Sequence, residues 1–178
     1  MKRIYLIIML LGLLATNSAY SQSIKYQGEV LGGYSLGIGT FSMDRVNLHT
    51  VHGVRFNQYL FAGVGLGVDY FYNFDAYLSD IDTKGELTMP IFFDIKGYLP
   101  VSPKVSMFVS FDIGAGIGLT EGVSGSKGLM FTPAIGTSMK VSSKNAITIS
   151  AGYNYQAWSE SGFKINTDAI SLKLGFQF

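Results

Sequence analysis

The last twelve residues of the chain constrain its fold more than any other stretch. Thr167 to Phe178 reads TDAISLKLGFQF, in which apolar and polar side chains alternate. The apolar positions include Ile170, Leu172, Leu174, Phe176 and Phe178. A period of two is typical of a β-strand with one apolar and one polar face. Because chain ends are usually polar and frayed, a terminal aromatic residue indicates a strand that is ordered to its end.

The same alternation recurs in seven earlier segments. They are Tyr26–Ile38, Val46–Phe56, Leu60–Tyr72, Leu87–Leu99, Val105–Leu119, Leu129–Val141 and Ile147–Trp158. Hydrophobic residues make up 48% of the chain and charged residues only 14%, yet no apolar run after residue 21 approaches the roughly 20 residues of a spanning helix. A tilted strand crosses a bilayer with about 9–11 residues. The sequence therefore predicts an all-β fold of eight strands, each long enough to span a membrane.

The connections between these segments alternate in length. The short ones are Asn57–Tyr59, Pro100–Lys104 and Ser142–Asn145, and the longer ones are Gly39–Arg45, Asn73–Glu86, Thr120–Gly128 and Ser159–Asn166. Short and long links sort to opposite ends of an antiparallel up-and-down barrel, and membrane barrels place the short turns in the periplasm. With eight strands, both chain ends would lie on the periplasmic side.

The polar face of the strands decides between a membrane barrel and a soluble, lipocalin-like barrel. That face is rich in glycine, and small residues suit the narrow interior of an eight-stranded barrel. The apolar face should therefore point outward to lipid, which gives a transmembrane β-barrel. Three residues fit this pattern poorly. His52 falls on the apolar face, which a bulge or a slip in the strand register would explain. Pro90 and Pro133 interrupt strands near their outer ends, where we expect bulges, or ladder ends that project above the membrane, because proline cannot donate to a ladder.

The mature chain resembles the small eight-stranded bacterial outer-membrane barrels of the OmpX and OmpA transmembrane-domain type. In that family the last strand, with its final Phe, is the signal read by the barrel assembly machinery. The resemblance implies this role for the apolar positions of the last strand named above. It also implies a structural or surface-interaction function, with outer-membrane lipid as the immediate partner and an unknown extracellular partner at the long loops.

The N-terminal residues have the features of a secretory signal peptide. Lys2 and Arg3 precede the short apolar run Ile4–Ala15, and small residues follow. Cleavage after Ser21 leaves residues 22–178 as one barrel domain, and cleavage after Ala19 is the alternative. The chain has no Cys, which excludes lipoprotein anchoring, disulfides and thiol chemistry. We therefore expect export through the inner membrane and periplasm to the outer membrane.

Eight charged residues are predicted to face the interior. They are Glu29, Arg55, Asp69, Asp94, Lys96, Asp112, Lys140 and Lys173. Four are acidic and four are basic, and buried charges must be paired. We expect a self-neutralising network that fills the barrel, with Glu29 and Arg55 as a pair near the periplasmic end. The alternative is an ion path, in which case the protein would be a small passive, porin-like channel.

Catalysis, cofactors and nucleic acid are not expected. A net charge of +1 gives no basic surface for nucleic acid. His49 and His52 are three residues apart on one strand, so they point to opposite faces and cannot share a metal ion. Thr50 and His52 share the lipid face without an evident acidic partner, so a lipid-modifying enzyme is the weakest alternative. We expect a monomeric, non-enzymatic barrel, whose longest loop, Asn73–Glu86, is a candidate partner contact.

Overall fold

The computed structural model describes residues 24–39, 42–72, 85–120, 127–160 and 163–178. The predicted signal peptide and most of the Asn73–Glu86 loop lie outside these residues. The strands are β1 (Lys25–Ile38), β2 (Arg45–Arg55), β3 (Leu60–Phe71), β4 (Glu86–Pro100), β5 (Val105–Gly118), β6 (Lys127–Lys140), β7 (Ala146–Glu160) and β8 (Phe163–Gln177). They form one closed barrel in chain order, and β8 pairs with β1. The predicted eight-stranded antiparallel barrel is confirmed.

The strand pairing gives the barrel a definite stagger. Starting at Gly28 of β1, each residue can be followed to its paired residue on the next strand, around the whole barrel. This path returns to β1 at Ile38, ten residues farther along the strand. The residues between them are His52, Val64, Phe93, Ile113, Phe131, Tyr155 and Asp168. Such a stagger requires strands that are inclined to the barrel axis, as in transmembrane barrels, whose strands tilt by roughly 35–45°.

The outer surface of the barrel is apolar and its interior is polar. Leu172 is 62% exposed, whereas its neighbour Lys173 is 9% exposed. The exposed large apolar side chains are mostly Val, Leu, Ile, Phe or Tyr from the outward face of a strand. The lipocalin-like alternative, with an apolar interior, is therefore wrong. The apolar outer face suits contact with lipid. The closed ladder pairs the backbone groups within the protein, as the bilayer interior requires.

The two ends of the barrel differ in their connections. The short links after β2, β4 and β6 share one end, the short-turn end, with Lys25 and Gln177. The opposite end is the loop end, and there one prediction is wrong. The sequence predicts a long connection at Ser159–Asn166, but β7 and β8 continue through most of it and pair as far as Glu160 and Phe163. Among the described residues, no helix is long and apolar enough to cross a membrane.

The residues that fit the alternation poorly cause no bulge. The β3–β4 pairing keeps one register on both sides of Pro90, and the β6–β7 pairing does so around Pro133. Each proline lacks an N–H donor and so removes one hydrogen bond from its ladder. The register is unchanged, so the expected bulges are absent. His52 does lie on the outer face, within the unbroken pairing of β2 with β1 and β3, so no register slip explains its position.

Candidate functional site

The candidate site is the barrel interior, where most of the buried charges lie. Near the short-turn end, Glu29 is only 1% exposed and forms an ion pair with Lys96 across the barrel. Thr148 Oγ1 donates to the other oxygen of Glu29 at 2.5 Å. Lys96 Nζ also lies 3.1 Å from Asp94 Oδ2. One lysine on β4 thus links carboxylates of β1 and β4.

A second group lies at mid-height and is centred on His49. Its Nε2 lies 2.8 Å from Asp69 Oδ1, which also accepts a bond from Asn47 Nδ2 at 2.7 Å. Its Nδ1 lies 3.3 Å from Lys173 Nζ, which is 3.9 Å from Asp112 Oδ2. An ammonium group can only donate, so Nδ1 accepts and Nε2 carries the hydrogen. His49 is therefore a neutral imidazole that donates to Asp69.

A third group closes the loop end. Arg45 is buried, and its guanidinium donates to Gln156 Oε1 at 2.9 Å and to the Asn154 side chain. The Arg45 Cζ also lies 5.0 Å from the centre of the Phe71 ring. Phe71 packs edge-on against Trp158. Arg45 has no carboxylate among its hydrogen-bond partners in the described residues, so its charge is solvated by amide oxygens and an aromatic face.

Apolar side chains pack inside the lumen among these groups. The inner cluster consists of Leu31, Val51, Phe61, Phe92, Tyr98, Phe108 and Met130. The outer cluster consists of Met43, Phe71 and Trp158. At the short-turn end, Tyr98 Oη accepts hydrogen bonds from Gln27 at 3.2 Å and Gln177 at 2.8 Å. Together these residues place large apolar side chains at several levels of the lumen.

Glycines make room for the interior rings. Gly65 on β3 and Gly114 on β5 both pair with Phe92, one on each side. A Cβ on Gly65 would overlap the Phe92 ring, and a Cβ on Gly114 would overlap the backbone of β4. The Phe108 ring occupies the same kind of space beside its paired residue, Gly136. The interior glycines that the sequence pattern indicated therefore serve to admit large rings into a narrow lumen.

The structure places six of the eight predicted network residues inside the barrel as buried side chains. They are Glu29, Asp69, Asp94, Lys96, Asp112 and Lys173. Arg55 is half-buried at the short-turn end, where its Cζ stacks 4.0 Å from the centre of the Tyr98 ring. The predicted Glu29–Arg55 pair is wrong, because the two residues lie four positions apart in the β1–β2 register. Lys140 is exposed at the end of β6, so its assignment to the interior is wrong.

Sequence reasoning missed two buried charges, Arg45 and Glu86. Both had been placed in loops, yet each is the first residue of a strand. The available signal was the alternation itself, since Arg45 precedes Asn47 and His49 at intervals of two, and Glu86 precedes Thr88. Glu86 forms a hydrogen bond with Thr120 near the loop end.

The apolar positions of the predicted assembly signal all lie on the outer face of the barrel. Phe178 exchanges two backbone hydrogen bonds with Gly28, of 2.8 and 2.9 Å, and so joins the chain end to β1. Its ring covers Gly28, where a Cβ would overlap it. The ring also meets His52 edge-on, with 6.3 Å between the ring centres. The terminal aromatic side chain thus bridges the seam where the barrel closes.

His52 is the one polar group on the outer face that suggested chemistry. Tyr26 Oη lies 2.5 Å from its Nδ1, and Thr50 Oγ1 lies 2.9 Å from its Nε2. Thr50 Oγ1 is also 3.3 Å from the Glu29 carbonyl oxygen. Both ring nitrogens are satisfied by hydroxyl groups, which lowers the cost of a polar side chain at the lipid interface. No carboxylate belongs to this set, so nothing in it would stabilise an imidazolium during catalysis.

The described residues contain no group of three or more His, Asp or Glu side chains arranged to bind a metal ion. The interior does hold a cavity of about 20 Å³ at mid-height, beside Asp94, Asp112 and Lys173. A cavity of roughly 10–15 Å³ is large enough to admit one water molecule. The cavity therefore has room for one guest of that size.

No family model matches the sequence, and no curated protein is similar to it. Among solved structures, Neisserial surface protein A is similar, with 13% identity, a TM-score of 0.64, and coverage of 88% of this chain and 98% of that one. This chain has the fold of a small outer-membrane β-barrel. The outer membrane enzyme PagL also matches, with 14% identity, a TM-score of 0.49, and coverage of 83% and 97%. The N-terminal β-barrel domain of Pseudomonas aeruginosa OprF matches with 15% identity, a TM-score of 0.47, and coverage of 88% and 98%.

Proposed function

We propose that this chain is an integral protein of the bacterial outer membrane whose interior is closed and whose role is structural or surface-interacting. The apolar outer face, the closed ladder and the fold shared with Neisserial surface protein A support the location. Export with removal of residues 1–21, and insertion through the assembly machinery that reads the last strand, belong to the same proposal.

The observation that carries the proposal is the packing of large side chains inside the lumen. Phe61 and Tyr98 are almost fully buried toward the short-turn end, and Phe71 and Trp158 are buried toward the loop end. Ion pairs fill the section between them. A barrel that is packed with side chains offers no continuous water path. Its contacts with other molecules must then be made by its lipid-facing surface or by its ends.

The loop end is the surface that we propose to meet a partner outside the cell. The Asn73–Glu86 segment (NFDAYLSDIDTKGE) carries four Asp or Glu residues and one Lys. Glu86 is buried at the start of β4, and the other three acidic residues would suit a basic partner. Most of this segment lies outside the described residues. Loops held by a rigid scaffold are common interaction sites. We propose that one chain, as a monomer, provides this surface.

Planar-bilayer conductance of the refolded protein tests whether the interior is closed. Folding is first verified by the shift in gel mobility on heating. We expect inserted protein to give no single-channel steps, because the two apolar clusters exclude water. Reproducible steps that change selectivity in Asp94→Asn would overturn this proposal in favour of the passive channel.

We also propose that the barrel is not an enzyme. The Tyr26–His52–Thr50 set lacks a carboxylate, and the strand pairing around it is continuous, so no free backbone amides are available to stabilise an oxyanion. Incubation of folded protein with outer-membrane lipids should give no lipid products by mass spectrometry. Lipid turnover by the wild type that is lost in His52→Ala would contradict this part of the proposal.

A further inference from the structure

The short-turn end of the barrel carries an excess of positive charge. Five basic residues lie in its turns or at the adjoining strand ends, and among the described residues no Asp or Glu does. The basic residues are Lys25, Arg55, Lys104, Lys140 and Lys144. All are exposed except Arg55, which is half-buried. Asp44 and Asp168 lie toward the opposite end, so the short-turn end is positive even with the chain-end carboxylate of Phe178.

The strand register brings these cations together. Lys25 is paired directly with Arg55 across the β1–β2 ladder. The backbone N–H of Lys140 donates to the Lys104 carbonyl at 2.8 Å, which continues the β5–β6 register, and Lys144 lies in the turn that follows Lys140. Like charges placed opposite each other repel. The ion pairs of the described residues include none of these five, so an anion from outside the chain would stabilise this end of the barrel.

Apolar side chains place the cations at the edge of the membrane. Val101 and Val141 lie in two of the short turns, and both are more than half exposed. Tyr26, next to Lys25, is also exposed on the outer face, as in the aromatic girdles at membrane interfaces. The apolar outer surface therefore continues into the turns, and the basic side chains lie at the level of the lipid headgroups. Lysine stems can follow such a surface while the ammonium group stays in the polar layer.

We propose that the short-turn end binds the phosphate groups of anionic phospholipids in the periplasmic leaflet, with Lys104, Lys140 and Lys144 as the main contacts. This inference rests on the proposed membrane function and specifies the class of lipid that the barrel prefers. Basic residues beside a membrane-spanning segment attract anionic lipids, and each one near the surface contributes about fivefold to binding. A periplasmic polyanion suits this end less well, because its turns are short and carry exposed apolar side chains. Phosphatidylglycerol is the probe that tests the site.

The experiment counts the phospholipids that the folded barrel retains. The full mature chain is refolded in vesicles with equal amounts of phosphatidylglycerol and zwitterionic phosphatidylcholine, and heat-dependent gel mobility verifies insertion. The barrel is then extracted in a mild detergent, and native mass spectrometry measures the ratio of the two lipids bound to it. We expect phosphatidylglycerol to exceed phosphatidylcholine by about fivefold. Extraction at high salt should lower this ratio, because salt screens exposed charges.

Variants locate the lipid site. The triple variant Lys104→Gln, Lys140→Gln and Lys144→Gln should lose most of the preference for phosphatidylglycerol. The matched control replaces the same three lysines by Arg, which keeps the charge and should keep the wild-type ratio.

Three outcomes would overturn the inference. A wild-type ratio near one, or a wild-type ratio retained by the Gln variant, would overturn it while the proposed membrane function stands. Failure of the wild type to insert into the vesicles would overturn the proposed function and this inference with it. A ratio near one together with co-sedimentation of the folded barrel with isolated peptidoglycan, lost in the Gln variant, would assign the basic end to a periplasmic polyanion instead.

Discussion

The Lys96→Met substitution tests the interior ion pairs most directly. Methionine keeps most of the volume of the lysine stem but removes the ammonium group that contacts Glu29 and lies 3.1 Å from Asp94. Both carboxylates are 1% exposed, so water does not replace the lost partner. Removal of one member of a buried pair typically costs about 3–5 kcal/mol. We expect the free energy of unfolding to fall by about that amount.

The assay is urea unfolding of the refolded barrel, with heat-dependent gel mobility as the check on folding. Lys140→Met is the matched control, because it makes the same chemical change at an exposed position at the end of β6. It should change stability by no more than about 0.5 kcal/mol. The double variant Glu29→Gln with Lys96→Met should recover much of the loss, since Gln can still accept the Thr148 hydrogen bond.

Two outcomes would refute this reasoning about the ion pairs. Lys96→Met could cost no more than Lys140→Met, which would mean that the buried carboxylates are compensated by other groups. Alternatively, the Glu29→Gln substitution could fail to recover stability in the double variant, which would place the loss in packing instead of charge. A double-mutant cycle separates the two, because it isolates the energy that Glu29 and Lys96 share.

Two further predictions concern an interior glycine and the terminal aromatic ring. Gly114→Ala should destabilise the barrel by about 1–3 kcal/mol, because its Cβ would overlap the backbone of β4. Gly97→Ala should not, because its Cβ would only make an ordinary contact with Val109 on the outer face, and equal urea midpoints for the two variants would contradict this. If the terminal ring is the assembly signal, Phe178→Ala should strongly lower the amount of heat-modifiable barrel recovered from cell membranes. It should have only a small effect on the free energy of unfolding of the refolded protein. Val109→Ala, at an exposed outer position outside the last strand, should not lower that recovery, and an equal loss in both variants would count against the signal.

The strands could be predicted from the sequence because each one combines a strict period of two with a clear turn signal at its ends. Seven of the eight observed strands agree with the predicted segments within two residues at both ends. The exception is β8, which begins at Phe163, within the polar stretch after Trp158. Strands that project beyond the bilayer need no apolar face, so their alternation is not visible as hydrophobicity.

The interior could be predicted only in part. Periodicity assigns a side chain to a face, which is why Asp94, Lys96 and Asp112 were correctly oriented. It does not give contacts across the lumen, and Glu29 on β1 pairs with Lys96 on β4, a strand that is not its neighbour. Those contacts depend on the ten-residue stagger of the barrel, which follows from all eight registers together.

The proposal of a closed lumen depends on packing at more than one level of the barrel. A cavity of about 20 Å³ at mid-height has room for one water molecule but does not form a path. The inner cluster around Phe108 and the outer cluster of Phe71 and Trp158 lie between this cavity and the water at the two ends. Water in the cavity should therefore exchange only when this packing opens, and the folded barrel should not conduct.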